Sequence, residues 1–206
     1  METTGTLPAF ESSTAGTSEY NSWLFSIMQP YIRERVLLVG QNISAFSSLL
    51  INQSIRIHIC EQSAIEEERL HEKYRGNELV RAIHHFDFNS PDFARDHTHL
   101  AKVFRTVILH DFSISDLYNA NVLDHLRGLL RLQRRLILTM PALTKVYNDL
   151  QLTSEDWIRM DRKPLKQFLA NYDILKTRYF SLNGVAHTQA TDDFSTHVLV
   201  IARRVD

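Results

Sequence analysis

Short apolar runs that do not alternate with polar residues recur along this chain, and stretches of helical periodicity separate them. "RVLLV" (Arg35 to Val39) is followed by "SAFSSLLIN" from Ser44, where Ala45, Phe46, Leu49 and Leu50 share one helical stripe. "SIRIHIC" then leads to a helix opened by Ser63 and Glu66, a capping box, with Glu66 to Glu68 where the helix dipole favours negative charge and Gly76 at its close. "LVRAIHHF", "VFRTVILH" and "RRLILTM" continue the series, with the helix "NANVLDHLRGLLRL" before the last of them. A run that is apolar on both faces is what a parallel strand buried between helices requires. After a further helix near "PLKQFLANY", two strands follow in succession, "DILKTRYF" and "THVLVIARR". The pattern predicts an α/β, Rossmann-like fold: a seven-stranded, mainly parallel sheet with an antiparallel last strand and helices on both faces.

A chain of 206 residues can bury such a core as one domain. Residues 1–18, rich in Thr, Ser and Gly without apolar period, read as a flexible tail, and 19–206 as the domain. Next, "EYNSWLFSIMQPYI" places Trp23, Leu24, Ile27, Met28 and Tyr31 on one helical face. A formal net charge of −1 recommends neither nucleic acid nor an anionic membrane as partner. No apolar stretch is long enough to span a bilayer, and no basic segment precedes an apolar one at the N-terminus. Cys60, the single cysteine, rules out an internal disulfide and fits a reducing compartment. A cytoplasmic protein is expected.

In open sheets of this type, ligands bind beyond the carboxyl ends of the strands. That rule directs attention to Gly40 to Ser44, Glu61, Asp87, and His110 to Ser113. The glycine turn reads either as a cofactor loop or as an ordinary strand-to-helix crossing. Glu61, about 20 residues beyond Gly40, sits where an acidic side chain accepts hydrogen bonds from ribose hydroxyls. Asp87 is a second acidic candidate or a turn aspartate. His110 could act as a general base oriented by Asp111, although neighbours along an extended chain point to opposite faces. "HTH" at His97 to His99, with His84 and His85, lacks the cysteine or carboxylate spacing of a metal site. Arg127, Arg131, Arg134 and Arg135, interleaved with Leu126, Leu129, Leu130 and Leu132, read as an amphipathic helix with a solvated basic side.

The pieces "YNSWLFSIMQPYIRERVLLVGQNISAF", "IHICEQS", "TMPALTKVY" and "DWIRMDRKPLKQFLANYDILKTRYFSLNG" occur in an order and spacing that resembles the class I S-adenosylmethionine-dependent methyltransferases, in particular a bacterial subgroup acting on small molecules and glycans. The similarity extends from about Tyr20 to Gly184. It implies S-adenosylmethionine as cofactor, with Gly40, Gln41 and Asn42 at its methionine end and Glu61 and Asp87 at its nucleoside. Tyr20 and Trp23 would close over it, or simply pack on the sheet. It further implies a small-molecule or glycan-related acceptor gripped by Tyr147, Asp156, Trp157 and Arg159, where an aromatic and an arginine supply stacking and forked hydrogen bonds. His110 and Asp111 would stand at the reacting end.

Departures from the family pattern fall on its chemistry. Leu38 stands where the family has an acidic anchor, and Asn42 and Ser44 replace two loop glycines. Asn tolerates the left-handed conformation, whereas β-branched Ile43 stiffens the turn. Two functions are therefore expected to compete: a methyltransferase, or a catalytically inactive methyltransferase-like protein serving as a binding or assembly module. A nicotinamide-dependent dehydrogenase fits neither the last two strands nor the segment after "RRLILTM".

Overall fold

The computed structural model describes residues 14–40, 43–61, 63–112, 122–141, 143–144, 158–159, 169–180 and 197–205. Helix α1 (Thr14–Met28) runs into a short 3-10 turn (Gln29–Tyr31) and precedes β1 (Val36–Gly40). It begins inside the stretch read as a tail. Then come α2 (Ser44–Asn52), β2 (Ile57–Glu61), α3 (Ala64–Lys73), β3 (Val80–His84), α4 (Phe93–Asp96) and β4 (Phe104–His110). The remainder comprises α5 (Val122–Leu129), β5 (Leu130–Pro141), the short strands β6 (Leu143–Thr144) and β7 (Ile158–Arg159), β8 (Tyr172–Phe180) and β9 (His197–Arg204).

Seven strands form one sheet in the order β3-β2-β1-β4-β5-β9-β8, and β6 pairs with β7 separately. β1 to β5 are mutually parallel where they pair, whereas β9 is antiparallel to both β5 and β8. This is the expected mixed sheet. All five residues of β1 are buried, which explains its missing alternation. Val36 and Leu38 face one apolar cluster with Leu24 and Met28 of α1, Phe46 and Leu50 of α2, and Leu70 of α3. Leu37 and Val39 face the other, with Phe93 of α4 and Val122, Leu126 and Leu129 of α5. Burying a Leu or Val side chain contributes about 1.5–3 kcal/mol, so the two faces of β1 alone hold both helical layers to the sheet.

Ser63 caps α3, its Oγ accepting from the Glu66 N–H at 3.5 Å, but the reciprocal half of the capping box is replaced, the Ser63 N–H donating to Glu61 Oε1 instead. The helix itself ends at Lys73, and Gly76 follows in the turn with φ 75°.

One expectation is overturned. The basic leucine-rich stretch is not a single helix, because α5 stops at Leu129 and Arg131, Arg134 and Arg135 belong to β5. Between the pairs Phe104↔Leu130 and Thr106↔Arg135, β5 spends five residues against two of β4, and Gln133 sits at φ 60°. This bulge resets the register and turns a helical-looking leucine pattern into a strand.

Candidate functional site

Residues Glu61, Gly40 and His110 are direct register partners at the ends of β2, β1 and β4. Adjacent strands lie about 4.8 Å apart, so Glu61 and His110 are separated by roughly 10 Å with the glycine between them. Gly40 is required by the close approach of β4: a Cβ there would collide with the carbonyl oxygen of His110 and stand 3.1 Å from Ile43 Cγ2. Glu61 is buried, and its Oε1 accepts from the Ser63 N–H at 3.2 Å. A carboxylate is seldom buried without a purpose or a partner, and this one is fixed by the residue that also caps α3.

His110 is 4% exposed. Its ring packs at 4.7 Å from that of Phe46, and neither ring nitrogen has a hydrogen-bond partner among the described residues. Leaving a buried polar group unpaired costs about 1–3 kcal/mol, and a native fold that does so calls for an explanation. The Nδ1 atom lies 3.7 Å from Asp111 Oδ2, beyond hydrogen-bond range but close enough for electrostatic attraction. The strand-alternation argument set these two side chains on opposite faces. Instead Asp111 adopts φ 49°, ending the extended backbone and swinging its carboxylate toward the ring.

Thr139 of β5 fixes that turn. Its Oγ1 accepts from the Asp111 N–H at 2.8 Å and lies 3.3 Å from Asp111 Oδ1. Tyr20 of α1 donates to the same carboxylate oxygen at 3.4 Å. Its ring is 6.4 Å from that of His197, the first residue of β9. Sequence reasoning missed Thr139 and His197, which are far from His110 along the chain. A histidine at the start of a strand otherwise read as apolar was the one available signal for His197.

Burial pushes both histidine pKa values below the ordinary value, and this outweighs the opposing pull of the Asp111 carboxylate. Each imidazole is therefore held neutral, the form that accepts a proton. Burial and the Asp111 charge together push the Tyr20 phenol well above its usual range, so it remains a donor.

The other expected residues separate. Asp87 is exposed and accepts from the Asn89 N–H at 2.9 Å, as a turn aspartate does. Arg159 lies in β7 opposite Leu143, just past the end of β5. Gln41, Asn42, Tyr147, Asp156 and Trp157 lie outside the described residues. Leu38, on the same sheet face as Gly40, is fully buried in the cluster beneath α1 and α2, so the anchor position is apolar throughout. Tyr20 is half-buried and bonded as above; Trp23, one turn on, is half-buried against that same cluster. Among the described residues, no group of three or more His, Cys, Asp or Glu is arranged to hold a metal.

No family model matches the sequence, and no curated protein matches it either. Solved structures do. A S-adenosylmethionine-dependent methyltransferase from Clostridium acetobutylicum ATCC 824 superposes with TM-score 0.59 over 95% of this chain and 94% of its own, at 10% identity. The glycopeptide N-methyltransferase MtfA, crystallised with S-adenosyl-L-methionine, gives 0.55 over 88% and 86%, at 12% identity. The chain has the class I S-adenosylmethionine-dependent methyltransferase fold. It also covers about half, 54%, of the CurJ carbon methyltransferase chain, with TM-score 0.60 over 92% of its own length and 13% identity. No helix among the described residues is long and apolar enough to cross a membrane.

Proposed function

We propose that this protein is a S-adenosylmethionine-dependent methyltransferase acting on a small-molecule or glycan-related acceptor. The observation that carries the reading is the row Glu61–Gly40–His110 at the carboxyl ends of three adjacent strands, with a buried imidazole whose two nitrogens lack partners among the described residues. Glu61, buried beside Gly40 at the strand ends, suits the ribose hydroxyls of the cofactor; in this reading Gly40, Gln41 and Asn42 take its methionine end and Asp87 its adenine side. When bound, the cofactor supplies a methyl group on a positively charged sulfur, open to attack by a nucleophile.

The chain's own residues then position the acceptor and handle its proton. His110 stays neutral, and with Nδ1 turned to Asp111 its Nε2 takes the proton that a hydroxyl acceptor must lose. Asp111 steadies the imidazolium as it forms, while Thr139 and Tyr20 hold Asp111 in place. In this reading Tyr147, Asp156, Trp157 and Arg159 grip the acceptor by stacking and forked hydrogen bonds.

Calorimetric titration with S-adenosylmethionine and its demethylated product tests this reading, with micromolar binding expected. No heat and no thermal shift at millimolar ligand rejects it. The buried Leu38 favours one alternative, an inactive relative that serves as a binding or assembly module. If Asn42→Gly with Ser44→Gly, or both together with Leu38→Asp, creates binding where the natural chain has none, that alternative is correct.

A further inference from the structure

We propose that the opposite end of the same sheet carries a compact oxyanion site, built by Arg33, Arg135 and Arg203, that takes a phosphate or diphosphate group. Arg135 of β5 and Arg203 of β9 are direct register partners in an antiparallel pair. Like charges placed so are destabilising unless something negative bridges them. Partial burial disfavours the Arg135 charge, and the guanidinium groups of Arg203, Arg33 and Arg134 add to the effect.

Acidic compensation is thin. Among the described residues, Asp173 pairs with Arg203 at 2.6 Å, and Glu34 pairs with none of the three. The Arg135 side chain donates, among the described residues, only to the Gln133 carbonyl, and that of Arg33 to the carbonyls of Pro30 and Ile32. Arg95 with Asp92 and Arg127 with Asp124 show the acidic pairing that Arg33 and Arg135 lack among the described residues. The buried Nε of Arg203 has no partner either among the described residues. Arg135 and Arg203 share a sheet face, and the Arg33 N–H donates at 2.8 Å to Oγ1 of Thr106, the β4 residue that pairs with Arg135. Guanidinium forks from two adjacent strands and the loop before β1 are therefore within one neighbourhood and suit the tetrahedral oxygens of one phosphate or a linked pair. The cluster is confined to one end of the sheet, which fits a small anion better than an extended polyanion. It is independent of the methyltransferase reading, since no residue is shared.

Thermal melts of the full chain test this with pyrophosphate, inorganic phosphate, sodium chloride at matched ionic strength, and a short single-stranded oligonucleotide. Pyrophosphate is expected to raise the midpoint saturably, by several degrees. Chloride should not. The apparent affinity should fall at least tenfold in Arg135→Gln, and likewise in Arg33→Gln, whose side chain is exposed and whose loss leaves the fold intact. An equal response to chloride, or an unchanged response in both variants, overturns the site. Protection by the oligonucleotide alone, without pyrophosphate, also overturns it and points to nucleic acid.

Discussion

At the carboxyl end of the sheet, two imidazoles are buried and kept neutral; at the amino end, about 13 Å away along β1, charges are left partly exposed and facing one another. The difference teaches what burial does to charge. Around His110 the cost of desolvating an imidazolium exceeds the attraction of Asp111, and the ring loses its proton. Around Arg135 water is near enough to keep the guanidinium charged, so repulsion persists and is moderated by Asp173 through Arg203. The two proposals follow this contrast, proton transfer at the end with neutral imidazoles and anion binding at the end with incompletely neutralised guanidinium groups.

The strongest way to break this contrast is His110→Phe. Turnover should fall by about 10²–10⁴-fold, while unfolding free energy rises by about 1 kcal/mol because two orphaned nitrogens disappear. Loss of stability with activity retained would make the ring a packing element. Gly40→Ala comes next: the added methyl meets the backbone of β4, and chemical denaturation should show a loss of about 3 kcal/mol. Glu61→Gln removes a charged acceptor, and cofactor affinity measured by calorimetry should weaken by about 1.5–3 kcal/mol.

Acidity gives a smaller effect. His58, His84, His97, His110, His125 and His197 all have pKa values lowered in the fold, His84 to about 4. The unfolded chain therefore binds more protons below the ordinary histidine value of about 6.5. Stability is full above that pH and declines as pH falls toward 4, by an amount of order 1 kcal/mol from the half-buried His84. A pH series of melts that stays flat from 7 to 4.5 would contradict this. Smallest of all, Arg135→Gln in the absence of anion should stabilise the fold by about 0.5 kcal/mol by relieving the cross-strand repulsion.

Much of the fold was legible because burial on both faces leaves an unmistakable apolar run, as in Val36–Val39 and Val107–Leu109. The junction of α5 and β5 was not legible. Leu126, Leu129, Leu130 and Leu132 satisfy a helical period, and only the left-handed Gln133 and the register shift show where the strand takes over. Glu61, Gly40 and His110 could be placed at strand ends from topology alone. The approach of Asp111 to His110 could not, since it depends on one backbone angle; an aspartate directly after a strand, tolerant of that angle, was the only hint. His197 reached the site through pairing with Pro141, a contact between distant segments that no local pattern encodes.

β9 comes after β8 in the chain yet lies between β8 and β5. Until the ribosome has delivered His197–Arg204, β8 has no neighbour to pair with and β5 keeps a raw flank. Nascent chains stalled before that segment should accordingly be sticky and sensitive to protease. Completion of the sheet must then be a late, nearly simultaneous event in which two ladders close at once.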